Sequence, residues 1–150
     1  MFKYIRAFFV ALRMTLRGEQ PPPPRYPLLT AWLEDGQQLT EQAIAAADAV
    51  GFDSAARQAV QVRVDGRDYA LDVLLRGVLY NMETEYPYLL RRGGQYNLTA
   101  IYAGNINDRY RIQRILEIET IGQYPAFMQA LQALLTHLET PPQEGQTEAD

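Results

Sequence analysis

The chain has 150 residues, no cysteine and one histidine, which removes disulfides, thiolate nucleophiles, cysteine-ligated metals and His-rich metal sites. It is 47% hydrophobic, enough to bury the core of one ordinary domain, and its net charge is −4. An acidic body argues against nucleic acid as a partner, because phosphate contacts need clustered Lys and Arg.

The N-terminus departs from that acidic balance. Lys3, Arg6, Arg13 and Arg17 lie in a stretch with no acid. Placed on a helix, the four cations fall within an arc of roughly 80°. Phe2, Ile5, Phe8, Phe9, Leu12 and Leu16 fill the opposite side. Arg17 suits the last turn and Gly18 the C-cap. Residues 1–18 are therefore expected to form a basic amphipathic helix. Arg6 and Arg13 interrupt any membrane span, and no small-x-small cleavage site marks a signal peptide. The pattern fits a helix lying in a membrane surface. Its expected attachment residues are Lys3, Arg6, Phe8, Phe9, Leu12, Arg13, Leu16 and Arg17. Their partner is an anionic membrane surface or a membrane-protein complex, which places the chain in the cytoplasm, peripheral to the membrane. Self-pairing of the apolar face into a homo-oligomer is the competing use.

Residues 19–27 read as a proline-rich linker, with Pro21–Pro24 an extended, semi-rigid spacer. A helical domain is expected over 28–139. Residues 28–35 read as a short helix ended by Gly36. Thr40 reads as the cap of a second helix through Glu41–Val50, closed by Gly51. Asp53 or Ser54 starts a short turn through Gln58. Val60, Val62 and Val64 alternate with polar residues, and Asp65-Gly66 marks a hairpin with a return strand over Arg67–Ala70. From Leu71 the period becomes helical through Leu74, Leu75, Val78, Leu79 and Met82.

Tyr86-Pro87 is expected to interrupt that helix, with a brief continuation over Tyr88–Arg92 and a turn at Gly93-Gly94. Residues 96–103 fit both strand and helix. The helical reading, capped by Asn97 and broken at Gly104-Asn105, is preferred. Further helices follow over Tyr110–Ile121 and Pro125–Glu139, the second carrying Phe127, Leu131, Leu134, Leu135 and Leu138 as one stripe. Residues 140–150 read as an acidic, disordered tail. The fold class is mainly α with a minor β component: a small helical domain with one β-hairpin around 60–70, preceded by a separate N-terminal helix.

No motif specifies a reaction, a metal or a cofactor, so no catalytic residue is assigned. His137 lies off the leucine stripe and reads as a solvated helix-surface residue. Glu83 and Glu85 are two apart and do not share a helix face. Arg91 and Arg92 beside two glycines, with Arg109 and Arg111, form a candidate anion or partner surface. Tyr88 and Tyr110 belong to it, because tyrosine is enriched where proteins meet. The sequence thus points first to a non-enzymatic membrane-peripheral interaction module or accessory subunit with a protein partner. Its alternative is a soluble small enzyme or ligand-binding domain using an Arg-rich anion site near 91–114.

Overall fold

A computed structural model describes residues 24–144. The expected helix over 1–18, most of the proline linker and residues 145–150 lie outside the described residues. The elements are α1 (Pro27–Ala49), α2 (Ser54–Gln58), β1 (Gln61–Val64), β2 (Arg67–Ala70), α3 (Leu71–Tyr80), a π-helical turn (Asn81–Glu85), α4 (Tyr86–Arg92), α5 (Gln95–Leu116), a 3₁₀ turn (Glu119–Gln123) and α6 (Pro125–Leu138). The fold is mainly α with one small antiparallel hairpin.

Where two helices are expected before residue 50, there is one. Gly36 does not end α1, because it marks the place where α1 is crossed most closely. A methyl group on Gly36 would lie 2.9 Å from Met82 Sδ and 3.5 Å from the His137 ring. Thr40 does not cap a new helix. Its hydroxyl donates to the Gly36 carbonyl one turn back, at 2.7 Å. The linker also ends sooner than expected, since Tyr26 is buried in the core.

Helix α1 packs along α6. The Trp32 and His137 rings stack with centroids 5.2 Å apart. Trp32 Nε1 donates to the His137 carbonyl at 3.0 Å, and His137 Nε2–H donates to the Trp32 carbonyl at 2.7 Å. The single histidine is therefore a packed, half-buried link between two helices and not a solvated one.

The hairpin follows its expected register, with Val62 opposite Tyr69 and Val64 opposite Arg67. Asp65 and Gly66 both have positive φ, 51° and 81°, which is the geometry of a type I′ turn. Val62 and Val64 point into the core. Asp53 caps α2 by accepting from the Ala56 N–H at 3.1 Å. Arg57, at 0% exposure, ties this region together. Its Nε donates to Asp72 at 2.7 Å, and its Nη1 donates to Asp48 at 2.7 Å and to the Phe52 carbonyl at 2.8 Å. The end of α1, the following loop, α2 and the start of α3 are thereby held on one guanidinium.

Pro87 does not stop the chain from helical winding. The turn before it widens, and the Tyr86 N–H bonds to Asn81 O, five residues back. Helix α5 then runs unbroken through Gly104-Asn105 and ends at Leu116, short of the expected 121. Gly94 precedes its first turn in place of Asn97. Gly104 admits the Tyr86 ring, since a methyl group there would sit 2.6 Å from Tyr86 Oη. Asn105 donates to the Leu138 carbonyl at the end of α6, at 2.7 Å.

The described part of the tail is ordered against the body. Glu144 accepts from the backbone N–H of Leu28 and Leu29 at 2.9 and 3.1 Å, a carboxylate cap on the N-terminus of α1. Tyr102 donates its hydroxyl proton to the Pro142 carbonyl.

Two stability outcomes follow from these contacts. Helix propensity alone favours Gly104→Ala by about 1 kcal/mol. The Tyr86 ring is fixed in place, so we expect Gly104→Ala to destabilise instead, by about 1–3 kcal/mol in urea unfolding. Arg57→Met leaves the buried Asp72 without its main counter-charge and should cost about 3–5 kcal/mol. The double variant Arg57→Met/Asp72→Leu should regain a large part of that loss.

Candidate functional site

The most buried acid in the body is Asp108 of α5, at 0% exposure. Four residues after Gly104, it faces the same crossing with the π turn and α4. Tyr86 Oη donates to it at 2.5 Å, Asn81 Nδ2 at 3.0 and 3.2 Å, and Arg111 Nη1 at 2.9 Å. Burial pushes the Asp108 carboxyl above the ordinary carboxylate range, while the Tyr86, Asn81 and Arg111 donors pull the other way without cancelling it. The Tyr86 hydroxyl is driven far up, first by burial and then by the neighbouring Asp108 charge. A shifted acid beside a phenol resembles acid–base machinery. Here every partner comes from the chain itself and no face of the carboxyl meets solvent, so the cluster is a structural joint between α4 and α5.

The second buried acid, Asp72, behaves oppositely. Burial raises its carboxyl, but the Ser54 hydroxyl and the Arg57 and Arg76 guanidinium groups outweigh burial and hold it below the ordinary value. For Arg57, burial opposes the charge, and the bonds to Asp48 and Asp72 more than offset it.

The arginines expected to share an anion surface are divided. Arg91 and Arg92 end α4, beside the turn that begins α5. Arg109 and Arg111 lie further down α5, roughly 20 Å along its axis at 1.5 Å per residue. Arg111 is committed to Asp108. Arg109 is half-buried, with its Nε shielded from solvent and without a hydrogen-bond partner. Arg92 Nη1 donates to Tyr88 Oη at 3.1 Å, and its guanidinium lies over that ring at 5.6 Å. Arg114 pairs with Glu117 and also donates to the Arg63 carbonyl on the hairpin. A methyl group on Gly93 would lie 2.6 Å from Arg25 Nη1, so Gly93 makes room for Arg25.

The tyrosines between 80 and 110 also divide. Tyr86 is core, and Tyr102 reaches the tail. Tyr80, Tyr88, Tyr96 and Tyr110 are exposed. Glu83 is exposed and Glu85 half-buried, and among the described residues no three His, Cys, Asp or Glu side chains are grouped to hold a metal.

What the body does offer is a pocket of about 570 Å³ between the first half of α1 and α4. Tyr26, Leu33, Met82, Pro87 and Leu90 supply apolar walls, and Arg25, Glu34 and Arg91 are charged residues of the lining. Only Arg91 of these is singled out by the sequence pattern. The others come from three separate stretches that folding brings together. Asp108 and Asp72 were legible only as local pairs, Asp108 with Arg111 at i,i+3 and Asp72 with Arg76 at i,i+4. Nothing in those spacings marks the acids as buried.

The two acids should show themselves in different pH windows. Asp108 is raised on folding, so its contribution to stability is full in acid and is lost as pH rises from the ordinary carboxylate value through the folded one. Asp72 is lowered, so its contribution is full above the ordinary value and is lost as pH falls through the folded one. In urea midpoints measured from acid to neutral pH, Asp108→Asn should remove the decline on the upper side. Arg111→Leu, which strips a donor from Asp108, should extend that decline to higher pH.

No family model matches the chain, and neither a curated protein nor a solved structure matches it.

Proposed function

We propose that the chain is a non-enzymatic, membrane-peripheral interaction module or accessory subunit, attached by residues 1–17 to the cytoplasmic face of a membrane. The observation that carries this reading is the separation of Lys3, Arg6, Arg13 and Arg17 from Phe8, Phe9, Leu12 and Leu16 in a stretch with no acid. Each basic side chain near an anionic leaflet contributes on the order of 1 kcal/mol, and the apolar side adds burial in the acyl boundary. Among the described residues no helix is long and apolar enough to cross a membrane, so any anchoring by this chain through those helices would be at the surface.

The body supports the reading by where its charge goes. Arg57, Arg76, Arg111 and Arg114 are engaged with acids of the same chain. The anion-site alternative needs Arg91, Arg92, Arg109 and Arg111 together, and they stand at two separate places. Exposed Tyr88, Tyr96 and Tyr110 on α4 and α5 give the module a surface of the composition that protein partners favour.

Co-sedimentation with vesicles tests this. The full chain should pellet with anionic vesicles and not with neutral ones, and a chain beginning at Pro21 should stay in solution. Arg6→Gln/Arg13→Gln removes about 2 kcal/mol and should weaken binding roughly 30-fold. Equal sedimentation of the full and shortened chains, or of neither, overturns the attachment.

A further inference from the structure

The pocket between α1 and α4 is lined in part by the residue at which the described chain begins. Pro24, the first described residue, is part of its wall. The segment before it is therefore tethered at a residue that lines the pocket. The walls offered there are apolar: Leu33, Met82, Pro87 and Leu90. At about 570 Å³, the pocket falls within the roughly 300–1,000 Å³ of ordinary ligand sites. That is room for a few large side chains and not for a whole helix.

The chain itself supplies such side chains within reach. Phe8 and Leu12 are an i,i+4 pair, with Phe9 next to them, in a stretch ending just ahead of Pro21–Pro24. Prolines rise about 3.1 Å per residue, so the spacer and the residues before it are long enough to turn the segment back over the pocket. A tethered occupant is present at an effective concentration on the order of millimolar, well above that of a second copy of a dilute protein.

We infer that this pocket is the resting seat of the chain's own N-terminal segment, held through Phe8, Phe9 and Leu12. The inference deepens the proposed membrane attachment and rests on it in one respect only, the consequence of release. The same side chains cannot be in the pocket and in lipid. Docking therefore lowers the apparent vesicle affinity by the fraction of chains whose segment is free, and the membrane competes with the pocket for one apolar face.

The absence of native cysteine makes the test direct. Thr15→Cys lies at the edge of the apolar side, and Thr30→Cys lies on the pocket wall. Treated with a short bismaleimide at low protein concentration, the full chain carrying this pair should join within one molecule. The rate should be at least about tenfold that of the same pair carrying Phe8→Ser/Leu12→Ser, which keeps the tether and its local concentration but removes the docking side chains. Equal rates with and without the serines overturn the inference, as does a product joined between two chains, which would make a second copy the occupant.

Vesicle binding separates this result from the attachment itself. A joined chain that no longer pellets, while the unjoined chain does, supports the competition. Rapid joining in a chain that never pellets leaves the pocket seat standing and removes the membrane reading. Pelleting without selective joining does the reverse.

Discussion

The missing N–H of Pro87 is the constraint around which this fold is arranged. A proline inside a helix removes one backbone bond and crowds the carbonyl four residues back. The usual result is a break or a kink. Here α3 continues into α4 through a single widened turn, Asn81–Glu85, in which Tyr86 bonds five residues back. That turn sets three placements. Asn81, its first residue, faces Asp108. Met82 faces Gly36 and lines the pocket. Tyr86 passes over Gly104 to reach the same Asp108. The pocket wall formed by Pro87, Leu90 and Arg91 is then carried on the helix that the turn re-aims.

Two buried charge clusters fix the elements on either side of that turn, and they do so with opposite electrostatics. Around Arg57 the partners exceed the cost of burial, and both Arg57 and Asp72 are held in their charged forms. Around Asp108 burial dominates although three side chains donate to it. The difference lies in the counter-charge. Asp72 has two guanidinium partners and a hydroxyl. Asp108 has one guanidinium partner, with an amide and a phenol. Neutral donors satisfy lone pairs but offset less of the desolvation of an ion. The two clusters are thus unlike joints: one an ion pair sealed in the core, the other a carboxyl whose proton is held more tightly than in water.

What could be read from the sequence was what depends on neighbours in the chain. The hairpin is specified by Val62, Val64 and the Asp65-Gly66 turn, all within a few residues, and it formed as written. The α6 stripe from Phe127 to Leu138 is likewise a local period. Several of the misreadings share one cause: a local signal overridden by a distant contact. Gly36 and Gly104 look like helix ends, yet each is the small residue that lets another element approach. Thr40 looks like a cap and bonds backwards within its helix. His137 looks solvated because its partner Trp32 lies more than a hundred residues away in sequence. In the part of the tail that is described, Glu144 meets the positive end of α1, a contact that no local pattern marks.

The same reasoning weighs the candidate sites. A charged residue signals a ligand only when the fold leaves it unspent, and Arg57, Arg76, Arg111 and Arg114 are spent on acids of the body. Arg91 lines a mainly apolar pocket together with Arg25 and Glu34, and a lining of mixed charge does not define an anion site. The apolar walls carry more weight, because exposed concave apolar surface is costly and is normally covered by something. The chain has, immediately before this pocket, a stretch whose apolar side chains have the same need. An amphipathic segment and an apolar pocket joined by a few prolines satisfy each other unless a third surface competes. A membrane is such a surface, and the basic residues that the pocket does not use are the ones an anionic leaflet would attract. On the proposed reading, attachment and self-docking are two outcomes of one balance, and the position of that balance would decide how much of the protein is found at the membrane.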